Sequence, residues 1–218
     1  GSAYFLNRNQ NTSGMTPPDL VSAGGRRQKL AEFNATTIGV RAGGAIKKDK
    51  LFYFINYERQ DNETPQPFDI ENYSGNVASI GTDGTVASGI EALRQNLISR
   101  FGFNPGAYTN NLATLTSDKL IAKIDWNIND NHKLAFRHSL VEARNISPSR
   151  SSANTINFMT GAVDFKSTTN STSLELNSRF SDKVSNNFVL GYTSVVDNRD
   201  PFGSPFPNVE IRDGSGRI

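Results

Sequence analysis

The sequence predicts an all-β protein: an antiparallel transmembrane β-barrel segment of about seven strands, with one short helix in a long extracellular loop. Three observations predict it. First, strand-like segments are joined in turn by tight and long connections. The tight ones are Ile46–Leu51, Asn127–His132 and Phe180–Ser185; the long ones cover roughly 9–33, 63–117, 146–170 and 198–218. A meander with short turns at one end and long loops at the other matches barrels of the outer-membrane type, which have short periplasmic turns and longer extracellular loops. Second, the strands alternate apolar and polar residues with period two, which gives them two unlike faces. Third, the aromatic residues Phe52, Tyr53, Trp126, Phe180 and Phe188 gather near the tight turns, as a headgroup-level girdle requires.

Composition permits this reading and removes others. The chain has 218 residues, 36% hydrophobic content and a mean hydropathy of −0.48. It holds no apolar run long enough for a transmembrane helix. A spanning strand needs only ~9–11 residues and shows apolar side chains at alternate positions, so mean hydropathy stays low. Net charge is +2, from 23 basic and 21 acidic residues. That balance argues against nucleic acid as a partner, because a nucleic-acid binder concentrates Lys and Arg on one face. The absence of cysteine removes a disulfide framework and Cys-based metal sites.

The elements follow in order. Gly1–Arg8 reads as a continuous strand and is expected to begin mid-chain. Segment 36–46 sets Ile38, Val40, Ala42 and Ile46 against Thr37, Arg41 and Gly43. In 51–59, Leu51, Tyr53, Ile55 and Tyr57 share one face, with Phe52, Phe54, Asn56 and Glu58 on the other. Residues 34–62 are therefore expected to form a hairpin turning at Lys47–Lys50. Asp83-Gly84 suggests a small hairpin pairing Val77–Ile80 with Thr85–Ala87. Ser88 and Glu91 offer a capping box. Ile90, Leu93, Leu97, Ile98 and Phe101 then keep helical spacing, and Gly102 supplies the stop. Strands 119–127, 133–142, 172–180 and 187–195 complete the meander.

Leu51, Tyr53, Ile55, Leu120, Ile124, Leu134, Phe136, Leu174, Leu176, Leu190 and Tyr192 are expected to face lipid. The opposite face carries charges in mid-strand. Glu58, Arg137, Glu175 and Arg179 are its candidate functional residues, turned to the lumen to contact substrate or plug, or to form cross-strand pairs. Alternation alone also fits a soluble sandwich, in which that face would meet water. Asp125-x-Asn127-x-Asn129 opens like a Ca²⁺ loop. However, it has Asp130 where the glycine belongs and Phe136 in place of the closing glutamate, so it reads as turn chemistry. His132 and His138 lack a third ligand at metal spacing. With no nucleophile elbow either, the expectation is a protein that is not an enzyme and carries no cofactor.

The stretch Gly39-Val40-Arg41-Ala42-Gly43-Gly44-Ala45-Ile46-Lys47-Lys48-Asp49-Lys50-Leu51-Phe52-Tyr53-Phe54-Ile55-Asn56-Tyr57-Glu58 resembles a signature of TonB-dependent outer-membrane receptors, in particular their Oar-like branch. Gly1–Asn9 is similar to the strand that precedes this hairpin, and Leu120–Asn127 with His132–Leu134 to the hairpin that follows. The resemblance covers about residues 1–145. It implies a 22-stranded barrel around a plug, of which 1–218 would be a partial wall lacking plug and remaining strands. It further implies transport across a Gram-negative outer membrane. The implied partners are a TonB–ExbB–ExbD complex acting through the plug, outer-membrane lipid and a surface lipoprotein. The competing expectations are a small complete outer-membrane barrel with a structural or adhesive role, and a soluble carbohydrate-binding β-sandwich.

Overall fold

The computed structural model describes residues 1–15, 26–27, 29–204 and 207–218. Seven strands form one antiparallel sheet in sequence order: β1 (Ser2–Asn9), β2 (Asn34–Lys47), β3 (Leu51–Gln66), β4 (Asn111–Asn127), β5 (His132–Ser147), β6 (Val163–Ser181) and β7 (Val184–Pro201). The sheet is open, with β1 and β7 at its edges. A sandwich would divide these strands between two stacked sheets, so that alternative is set aside.

The three tight turns fall where the sequence places them. Lys50 N–H donates to the Lys47 carbonyl at 3.1 Å, and Asp49 takes φ 61°, a left-handed conformation that Asp tolerates better than most residues. Asn129 Oδ1 accepts from the N–H groups of Asn131 and His132, both at 2.9 Å. This is the side-chain turn that the Asp/Asn cluster predicts, and it puts the apparent Ca²⁺-loop residues to structural use. Ser181 pairs with Val184 across a two-residue connection, after a register shift between Arg179 and Ser181. The hairpin expected over 34–62 is present, pairing from Asn34↔Glu63 to Lys47↔Leu51 with one register shift between Ala45 and Lys47.

Three expectations are corrected. The strands are longer than their alternating cores: β3 to β7 have 16–19 residues and run on toward the long-loop end. The long connections shrink accordingly to 67–110 and 148–162. In the connection 10–33, residues 16–25 and 28 lie outside the described residues. The small hairpin is absent: Val77–Ile80 is a 3-10 turn and Val86–Phe101 is helix α1. The cap of α1 is Thr85, whose side chain accepts from Ser88 N–H at 3.2 Å, so Ser88 lies inside the first turn. Glu91 does not reach back to close a capping box. It binds Arg94 and Gln95 at 2.7–2.8 Å. The first-turn donors of Val86 and Ala87 go instead to the Glu71 carboxylate, each at 3.0 Å. Gly102 ends the helix at φ 64°, as expected.

The apolar core lies outside the sheet. Ile70, Tyr73, Val77, Val86, Ile90 and Ile156 form one buried cluster, joined by Phe68, Tyr108, Phe158 and Ile218. These residues come from the two connections 67–110 and 148–162 and from the segment after β7. A short hairpin, β8 (Arg212–Asp213) with β9 (Gly216–Arg217), closes over the cluster. The connections are thus a single folded cap at one end of the sheet.

Candidate functional site

Residues directly opposite in an antiparallel ladder share a face, so the register sorts every side chain on the wall. One face carries the rows Leu51–Trp126–Leu134–Leu176–Phe188 and Tyr53–Ile124–Phe136–Leu174–Leu190. The next row is Ile55–Ala122–His138–Thr172–Tyr192. All eleven residues expected to face lipid lie in or beside these rows. They are uncovered even on interior strands: Ile55 is 46% and Ile124 44% exposed. A water-facing monomer rarely exposes so continuous an apolar surface. Phe52 is a correction, because it pairs with Asp125 and belongs to the opposite face, outside any lipid girdle.

The upper edge of this apolar band is uneven. On β1 and β2 it reaches the Phe5–Ile38 pair. On β3, β4 and β5 that same row is Arg59, Asp118 and Glu142, and the band stops one row lower, at Tyr57–Leu120–Leu140. On β6 the apolar side chains end at Leu174, below Thr172 and Asn170, while on β7 Tyr192 and Val196 carry the face upward again. At the edge, Arg59 binds Asp118 at 3.0 Å. His138, level with this boundary, has its Nδ1 2.8 Å from the Thr172 hydroxyl, so its polar atom is partnered across the strands.

The opposite face is polar, and all four candidate residues lie on it. Glu58 is the best connected. It accepts from the Tyr4 hydroxyl at 2.5 Å and from Lys119 Nζ at 2.8 Å. Tyr4 reaches Glu58 from β1 by lying across β2 at Gly39, where any Cβ would collide with the Tyr4 ring. Gly39 is therefore required by a close approach rather than by its backbone angle. Glu175 accepts from Asn177 at 2.9 Å and from Asn187 at 2.8 Å. Arg137 stands directly opposite Lys123, and Lys123 is taken by Asp125 at 2.7 Å. Neither the Arg137 nor the Arg179 side chain has a hydrogen bond or ion pair among the described residues. The structure brings Tyr4, Gly39, Glu58 and Lys119 together but does not join the four candidates into one cluster. Sequence reasoning missed Tyr4 and Lys119 as partners. Their shared parity with Glu58 was visible, but the register between strands 54 and 61 residues apart was not.

Replacing Tyr4 by Phe should cost ~0.5–1.5 kcal/mol, the usual net value of one hydrogen bond. Gly39→Ala should cost at least as much, and most of that cost should persist in the Tyr4→Phe background, because the added Cβ meets ring carbons that Phe keeps. A double-mutant cycle by urea titration checks this.

In the cap, hydroxyls of Ser88 and Thr85, with the Thr85 N–H, hold the Asp83 carboxyl down to about 2. A lowered carboxyl pKa stabilises the fold fully above the ordinary value and loses that contribution as pH falls through the folded value. The start of α1 should therefore stay ordered to below pH 3 and loosen near pH 2. Carbon-13 titration of Asp83 by NMR reads this directly.

The family described as outer membrane beta barrel domain matches residues 71–215, two thirds of the chain. The chain belongs to that family and is a protein of the Gram-negative outer membrane. No curated protein and no solved structure matches it.

Proposed function

We propose that this chain is part of the wall of a TonB-dependent transporter of the Oar-like branch, working in transport rather than catalysis. The observation that carries the reading is the β2–β3 hairpin. The Gly39–Glu58 signature folds as one continuous hairpin, and its last residue, Glu58, ties β1, β3 and β4 together on the polar face. The open edges of β1 and β7 support it. Lipid cannot satisfy their unpaired backbone groups, and on this reading further strands pair with them to close the barrel.

On this reading the polar face lines the lumen, and Glu58, Arg137, Glu175 and Arg179 meet substrate or plug. Arg137 and Arg179 are the better placed, since neither is paired within the wall. The apolar face meets outer-membrane lipid. Energy comes from a TonB–ExbB–ExbD complex, and a surface lipoprotein sits over the cap.

The test is in-cell photo-crosslinking between the complete protein and TonB. The expected result is a TonB adduct, with a purified protein that is closed to ions in planar bilayers. No adduct, together with stable channel currents from the protein alone, would overturn the reading in favour of a small complete barrel.

A further inference from the structure

We propose that the β8–β9 hairpin of the cap carries a binding site for a sugar acid, a hydroxyl-rich solute bearing one carboxylate. The inference rests on the reading that the long loops face outward from the cell, where such a solute is met first.

The hairpin displays two arginines rigidly. Arg212 and Arg217 are direct cross-strand partners, as are Asp213 and Gly216, so the two pairs point to opposite faces. The Asp213–Gly216 face is locked to the cap. Asp213 accepts from Val77 N–H at 2.7 Å, and Gly216 is buried against the Tyr73 ring, where a Cβ would collide. Gly214 makes the turn at φ 63°. Arg217 N–H also donates to the Asn154 carbonyl, which fixes the hairpin to the second connection.

The other face borders an open cavity of about 360 Å³, within the range of small-ligand sites. Its lining is polar, including Asn154, Thr155, Ser215, Glu210 and the two arginines. Arg217 is partly committed: its Nε donates to Thr155 Oγ1 at 3.1 Å and it meets Glu210 at 3.4 Å. Arg212 is exposed and has no hydrogen bond or ion pair among the described residues. The cavity thus holds two guanidinium groups against one carboxylate, an excess of one positive charge. Like charges directly opposed across a ladder are unfavourable, and an anion between them removes that penalty. A guanidinium offers two parallel N–H groups to a carboxylate. The Asn154 amide N–H groups and the Thr155 hydroxyl, which accepts from Arg217 and can still donate, can meet sugar hydroxyls. The Ser215 hydroxyl already donates to the Ser74 carbonyl at 2.9 Å, and among the described residues no aromatic ring lines the cavity for stacking.

The test is calorimetric titration of the complete detergent-purified protein with glucuronate, glucose and acetate in turn. Glucuronate should bind at least about tenfold more tightly than either of the others. Arg212→Gln should weaken glucuronate by about tenfold or more while leaving the fold intact, because the exposed Arg212 side chain has no hydrogen bond or ion pair among the described residues. No glucuronate binding, equal binding of glucose, or unchanged affinity in Arg212→Gln would overturn the site. Acetate binding as tightly as glucuronate would overturn the sugar assignment. The titration requires no TonB, so its failure is separable from failure of the transport reading.

Discussion

Leu174→Arg is expected to destabilise the folded protein in bilayers by ~2–4 kcal/mol, the cost of a cation on the lipid face at mid-membrane depth. Leu174 lies in the apolar row between Phe136 and Leu190, above the row Leu134–Leu176–Phe188 and below the row that holds Ile55, Ala122 and Tyr192. The guanidinium there has neither water nor a carboxylate within its row. Ser173→Arg is the control. Ser173 is one residue away and points to the polar face, opposite Arg137, so the change should cost well under half as much. Folding titrations into liposomes measure both. Equal costs would remove the two-faced wall from the account.

Ile90→Ala should cost ~2–5 kcal/mol of cap stability, the range for truncating a large buried aliphatic side chain. Ile90 is fully buried, at 0% exposure, at the centre of the cluster formed by both connections. Its loss removes contacts and leaves a cavity. Phe101 belongs to the same helical stripe but is 65% exposed, so Phe101→Ala should be nearly neutral. Limited proteolysis of intact cells should cut within 67–110 in the Ile90 variant first. The barrel strands should survive, because the cluster includes none of the sheet's apolar residues. The cap thus has its own stability, distinct from that of the wall.

The wall was largely legible in the sequence because its signals are local. Period-two alternation gives the face of each residue, and Lys48-Asp49-Lys50 and Asn129-Asp130-Asn131 mark turns by their own chemistry. The upper halves of the strands were not legible. Above Arg59 both faces of β3 are polar, as in Asp61–Thr64, and alternation carries no contrast there. The start of α1 was misread for a related reason. Thr85 and Ser88 are both good caps, and the choice was settled by Glu71, 15 residues from Val86, which occupies the first-turn donors. The parity of Glu58, Arg137, Glu175 and Arg179 could be read from spacing. Their partners could not, since the Glu58 cluster joins residues more than fifty positions apart and Glu175 takes Asn187 from the next strand.

The most direct test of the central claim is a single-cysteine scan of 119–127 on β4, with spin labels read for collisions with oxygen and with a water-soluble nickel chelate. These 218 residues contain no cysteine, so within them each label is unique. The account predicts a strict two-residue period. Labels at 120, 122, 124 and 126 should collide preferentially with oxygen dissolved in lipid, and those at 119, 121, 123 and 125 with the chelate. Absence of that period, or its opposite phase, would contradict the account.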